Sequence, residues 1–161
     1  MREFSKVSPK VWRDKRFRGL SSIDAQLVFL FFLTCDHQNS AGSYRVPDGY
    51  ACADLGWDVA RYIEARNLIV QAGLIVFDED TDELFISGWF DTNPSMNPKH
   101  ALSIQTAIAK IESDFIREAA EEDFERSEEV RAYRPAKGNG ANVLKMQDRL
   151  ASSNYMNRGR S

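Results

Sequence analysis

Cysteine, histidine and long apolar runs are all scarce in this chain, and each scarcity excludes something. There are 2 cysteines and 2 histidines among 161 residues. Cys35 and Cys52 match neither a metal-ligand spacing nor a disulfide framework. A reduced, cytoplasmic setting is expected, with Cys35 a buried small hydrophobe. His37 and His100 stand far apart, and no carboxylate pair or cysteine pair frames His37 in its Asp36-His37-Gln38-Asn39 loop. No metal site and no acid–base pair is therefore expected. A glycine-rich phosphate loop is missing, and no serine has a recognisable base partner. Neither a cofactor nor an enzymatic activity is expected. The longest apolar run, Leu27 to Leu33, falls well short of the roughly 20 residues of a membrane span. No secretory or anchoring segment is evident either, so no membrane partner is expected. Internal repeats are absent.

What is present is charge, strongly segregated. The formal net charge is -3. Residues 1–20 nevertheless carry seven bases against two acids, and residues 131–161 seven bases against one acid. Residues 74–96 carry six acids and no base, and residues 97–130 nine acids against four bases. Basic ends on an acidic middle suit a nucleic-acid partner at the ends, or pairing of the ends with the middle.

The stretch Ser21 to Cys35 organises the rest. Ser21 or Ser22 can cap a helix, and Asp24 stands three residues after Ser21, as in a capping box. Leu27 to Leu33 then covers every face of two turns, and a helix apolar all round is expected to be covered on all sides. Before it, Ser8-Pro9 suits the start of a short helix over about 9–14. After it come a polar loop, a short strand near Ser43–Val46, and a turn at Pro47-Asp48-Gly49. A helix over about Gly49 to Leu55 follows. Gly56-Trp57-Asp58 breaks it, Asp58 caps the next helix, Val59 to Ala72, and Gly73 ends that one. Leu74–Phe77 and Leu84–Ile86 read as two strands around the acidic loop 78–82. Asn97 and Pro98 then open a helix whose Ile104, Ile108, Ile111 and Phe115 form one apolar stripe, running to about Val130.

Two helices across a short glycine-containing turn form a helix-turn-helix pattern. With a strand before them and a hairpin after, the order is that of a winged helix-turn-helix. The expected fold is mainly α with a small β-hairpin and an additional C-terminal helix. Residues 1–20 form a basic arm, 21–96 the winged domain, 97–130 the added helix and 131–161 a flexible basic tail.

Three stretches carry a resemblance. Phe4-Ser-Lys-Val-Ser-Pro-Lys-Val-Trp12, the wing from Leu74 to Ile86, and the exit Trp89-Phe90-Asp-Thr-Asn93-Pro94-Ser-Met-Asn97-Pro98-Lys99 together resemble the winged-helix domain of phage replisome-organiser proteins. These are similar to the amino-terminal domain of the bacterial primosome protein DnaD. The resemblance covers residues 4 to about 112, and the Asn-Pro-x-x-Asn-Pro-Lys exit is its most specific part. It implies binding of double-stranded DNA near a phage origin and recruitment of helicase-loading or other replication proteins. No second globular domain is expected after the exit helix, so DNA binding or oligomerisation is what the resemblance carries.

In a helix-turn-helix the second helix enters the major groove. A wheel of Val59–Ala72 gathers Val59, Tyr62, Ile63, Ile69 and Val70 on one side. Ala60, Arg61, Glu64, Asn67, Leu68 and Gln71 gather on the other. Arg61, Glu64, Asn67 and Gln71 are the candidate DNA-contacting residues. Either amide can pair with adenine, and Arg61 with guanine or a phosphate. Arg66 falls on the apolar side, so it is expected to snorkel or pair with an acid rather than read bases. This helix has no net charge, which is poor for phosphate binding. Arg13, Lys15, Arg16 and Arg18 of the arm, joined by Arg45, are better phosphate contacts. The acidic wing tip would be repelled by a minor groove, so it points away from DNA or binds protein. A protein-interaction module, including a homo-oligomer, and a transcriptional regulator on the same fold are the alternatives.

Overall fold

The computed structural model describes residues 4–133. The expected tail, apart from its first three residues, lies outside the described residues. One compact unit covers Met1–Glu129 and a second begins at Val130; the fold below is that of the first. It is mainly helical, with a three-stranded antiparallel sheet.

Ser8 caps a 3-10 helix, Pro9–Arg13, its hydroxyl accepting from the Lys10 amide at 3.3 Å. Asp14 ends that turn and caps a one-turn helix α1 (Lys15–Arg18), accepting from the Arg16 amide at 2.8 Å. One short helix was expected here. A carboxylate in extended backbone satisfies the next turn's free N–H groups and so splits it in two.

Helix α2 (Ile23–Thr34) starts at Ser22, whose hydroxyl accepts from the Ala25 amide. With Ser22 as cap, Asp24 stands inside the helix and makes no capping box. Ala25, Val28, Phe29 and Phe32 are buried. Full coverage of this helix does not occur. Ile23 is 82% exposed and Leu27 46%, because one stripe of α2 is left open while Leu30, Phe31 and Leu33 pack against the core on its flanks.

Strand β1 (Ser43–Arg45) leads to α3 (Asp48–Leu55), which Gly56 closes in a left-handed conformation. Asp58 then caps α4 (Val59–Gln71), accepting from the Arg61 amide at 3.0 Å. Helix α4 packs on α2 and α3. Strands β2 (Ile75–Asp78) and β3 (Glu83–Ile86) form the expected hairpin, and β1 joins it in the order β1-β3-β2. Tyr44 pairs with Leu84, and Ile75 with Ile86. The sheet is thus one strand larger than a hairpin. Leu84, Phe85 and Ile86 of the central strand are all buried, with the Phe85 ring 6.4 Å from that of Phe90.

The aromatic exit pair forms a one-turn helix, α5 (Trp89–Thr92). The Trp89 indole lies on Gly42, where a Cβ would overlap the ring, and its Nε1 donates to the Ser40 carbonyl at 3.0 Å. Asn97 and Pro98 open α6 (Pro98–Ile108) as expected, with the Asn97 side chain accepting from the His100 amide at 2.9 Å.

The long helix expected over 98–130 is two helices. After α6 the chain leaves the helix over residues 109–113, and α7 (Asp114–Tyr133) follows. The stop comes from the sheet. The Glu83 carboxylate accepts from the amides of Glu112 at 3.1 Å and Ser113 at 2.8 Å, which caps the start of α7 from β3. Ile104, Ile108 and Ile111 are buried as the stripe requires, but Phe115 is half exposed and Ile116 takes the inward place. Helix α7 docks on α5. Asp123 accepts from the Phe90 amide at 3.1 Å, Ser127 donates to the Phe90 carbonyl at 3.3 Å, and Phe124 meets the Phe90 ring edge-to-face at 5.1 Å. Burial at this joint pushes the Asp123 carboxyl up.

Candidate nucleic-acid interface

Helix α4 has a buried and an exposed side. Tyr62, Ala65, Arg66 and Ile69 face the core, while Glu64, Asn67 and Gln71 stand exposed. Spacings of three and four residues place those three in one row along the helix. The apolar side is narrower than the wheel suggested. Val59 and Val70 are partly exposed and Ala65 takes an inward place, while Arg66 lies on the inward side as expected. Thirteen residues give α4 a length of about 20 Å, enough to lie along a major groove.

Arg61 stands at the N-terminal end of this row and is engaged within the molecule. Its Nε and Nη2 donate to the two carboxylate oxygens of Asp24 at 2.6 and 2.7 Å, a fork-to-fork pair joining α4 to the start of α2. Its guanidinium also lies over the Trp57 ring, 3.9 Å from the centroid. The Arg61 hydrogen bond holds the Asp24 carboxyl below the ordinary aspartate value of 3.8. A carboxyl lowered on folding stabilises the fold above its unfolded value and loses that contribution as pH falls through the lowered one. Wild type is therefore expected to melt above Asp24→Asn at neutral pH, with the gap closing as pH drops below 3.8. Thermal melts of both proteins across that range measure it, and an unchanging gap would show the pair to be without effect.

The basic arm divides in the same way. Arg13, Lys15 and Arg18 are exposed and make no ion pair among the described residues. Arg16 is tied down. Its Nη2 donates to Asp14 at 2.8 Å and its Nη1 to the Gly73 carbonyl at 2.8 Å. Arg16 holds the Asp14 carboxyl below its ordinary value. It also fixes α1 beside the C-terminal end of α4, two residues beyond Gln71. The arm's free cations therefore enter at that end, and Arg61 marks the other. Arg45, on β1, is exposed and stands 3.9 Å from Asp82.

The acidic hairpin has internal work. Glu79 approaches Arg66 at 3.4 Å, Asp82 faces Arg45, and Glu83 caps α7. Asp78 accepts from the Asp80 amide at 2.9 Å. Arg66, expected to snorkel or pair, does pair. It is 3% exposed, bonded to Asp48 and Glu79, with its guanidinium 4.0 Å from the centre of the Phe77 ring. Sequence reasoning missed the Asp24, Gly73 and Trp57 contacts. Only the bare presence of Asp24 near a helix start hinted at one of them.

Among the described residues, no group of three His, Cys, Asp or Glu side chains is placed to hold a metal ion. Burial raises the thiols of Cys35 and Cys52, both unbridged, away from the reactive thiolate form. No described helix is long and apolar enough to cross a membrane. Compared with models of known protein families, with curated proteins and with solved structures, the chain matches none.

Proposed function

We propose that this chain is a winged helix-turn-helix protein that binds double-stranded DNA, with α4 entering the major groove and the exposed cations of the arm on the phosphates. One observation carries the reading. The row Glu64, Asn67, Gln71 is polar and exposed, on a helix whose other side is core. The order of elements and the sheet order β1-β3-β2 support it, since they set α3 and α4 across a short turn with a hairpin following. Asn67 and Gln71 supply paired donors and acceptors for adenine, and Glu64 an acceptor for cytosine. Arg61 orients α4 through Asp24 and Trp57. The resemblance to phage replisome organisers makes replication initiation the favoured setting, with helicase-loading or other replication proteins as partners. The pairing of Glu79 with Arg66 and of Asp82 with Arg45 lessens the repulsion that an acidic hairpin would bring to DNA.

Selection from a random duplex pool, followed by anisotropy on the enriched site, tests this. Asn67→Ala with Gln71→Ala is expected to weaken the selected site about tenfold or more while sparing scrambled duplex. Arg13→Gln with Lys15→Gln is expected to weaken both duplexes alike and to lower the salt slope by about one per cation removed. Absence of duplex binding at about 50 mM salt would overturn the reading.

A second reading has its own observation. The exposed stripe of Ile23 and Leu27 on α2 suits a protein partner or a second copy. Sedimentation showing a concentration-dependent mass that Leu27→Glu abolishes would support it.

A further inference from the structure

We propose that Trp12 is a stacking platform for an unpaired base of single-stranded DNA, with the cations around it on the neighbouring phosphates. The three tryptophans differ sharply. Trp89 is buried with its N–H on the Ser40 carbonyl, and Trp57 lies beneath the Arg61 guanidinium. Trp12 is 62% exposed. The 3-10 turn that buries its neighbour Val11 turns Trp12 outward. Its aromatic contact is edge-to-face with Phe17, at 5.5 Å, which leaves most of the indole surface in solvent.

Charge selects the partner. Lys10, Arg13, Lys15 and Arg18 are exposed and without an ion pair among the described residues. Asp14, the one acid between residues 4 and 20, is neutralised by Arg16. A large flat ring in a segment with four such cations and, among its described residues, no unpaired acid suits a polyanion that carries stackable rings. A symmetric contact of this segment with its counterpart in a second copy would bring two cationic segments together, which is repulsive. In a duplex the faces of the bases are already stacked on one another, so a ring that stacks needs an unpaired strand. The surface lies on a different element from the α4 row and does not rest on duplex reading by that helix.

Anisotropy of a labelled oligo(dT) of about 15 nucleotides tests the proposal with the full chain at low salt. Wild type is expected to bind, with quenching of tryptophan emission. Trp12→Ala is expected to weaken oligo(dT) binding about tenfold or more, and Trp12→Phe to retain most of it, because stacking needs a π-face rather than an indole. Neither substitution should change affinity for the selected duplex, whereas Asn67→Ala with Gln71→Ala should affect the duplex and spare oligo(dT). Thermal melts confirm that each variant is folded. Three results would overturn the proposal: no binding of oligo(dT) by wild type at low salt; equal binding by folded Trp12→Ala; or sedimentation showing that Trp12→Ala dissolves a dimer without changing strand binding.

Discussion

Replacing Arg66 with alanine is expected to lower the thermal midpoint by about 10 °C, from a loss of about 2–4 kcal/mol. Arg66 is the one buried cation among the described residues. Its fork joins Asp48 of α3 to Glu79 of the hairpin, while its plane covers Phe77 of β2. Removal leaves Asp48 facing a hole and deprives three elements of their common partner. The loss is held to the lower part of the range for broken buried pairs because Asp48 keeps 30% of its side chain in solvent and can rehydrate. Arg66→Met should cost less than Arg66→Ala, since methionine restores the packing on Phe77. Arg66→Met with Asp48→Asn should recover more still, because no unpaired charge remains. Thermal and urea melts of the four proteins test the order. Equal midpoints for Arg66→Ala and wild type would remove Arg66 from the account of the fold.

The second large effect is expected at Gly42. Its φ is +67° and the Trp89 ring occupies the space where a side chain would begin. Gly42→Ala combines a strained backbone, about 1–2 kcal/mol, with displacement of a buried indole that is bonded to Ser40. A total of about 3–5 kcal/mol is expected, in the range of the largest single substitutions. The two terms separate in a double-mutant cycle. Against a Trp89→Ala background the steric term vanishes and Gly42→Ala should cost only the backbone strain. Additive losses across the cycle would contradict the contact.

These two sites show what a linear reading reaches. Helix α4 was legible because both its ends are local, Asp58 as cap and Gly73 as stop, with a polar row between them. The hairpin was legible because two β-branched and aromatic runs flank a charged loop. The break between α6 and α7 was not, because the residue that caps α7 is Glu83, on a strand 30 residues earlier. Within residues 109–113 the one local sign is Ser113, a capping residue type placed just before Asp114. The candidate site divides along the same line. Exposure of Glu64, Asn67 and Gln71 follows from helical period, so sequence placed them. The state of Arg61 and Arg16 depends on partners 37 and 57 residues away. A wheel counts each arginine as free, and the fold commits both. Burial of α2 was overstated for a related reason: an apolar run fixes what a helix can tolerate, whereas the number of neighbours that cover it is a property of the whole chain.

The outward row of α4 is expected to meet duplex DNA. Amide chemical-shift mapping of the isotope-labelled chain, titrated with its selected duplex, reads that contact most directly. The expected result is a set of shifts concentrated at Glu64, Asn67, Gln71 and the basic turn from Arg13 to Arg18, with the Asn67 and Gln71 side-chain amides among the largest. Shifts confined to α6 and α7, or to Ile23 and Leu27 of α2, with the α4 row unmoved, would contradict it.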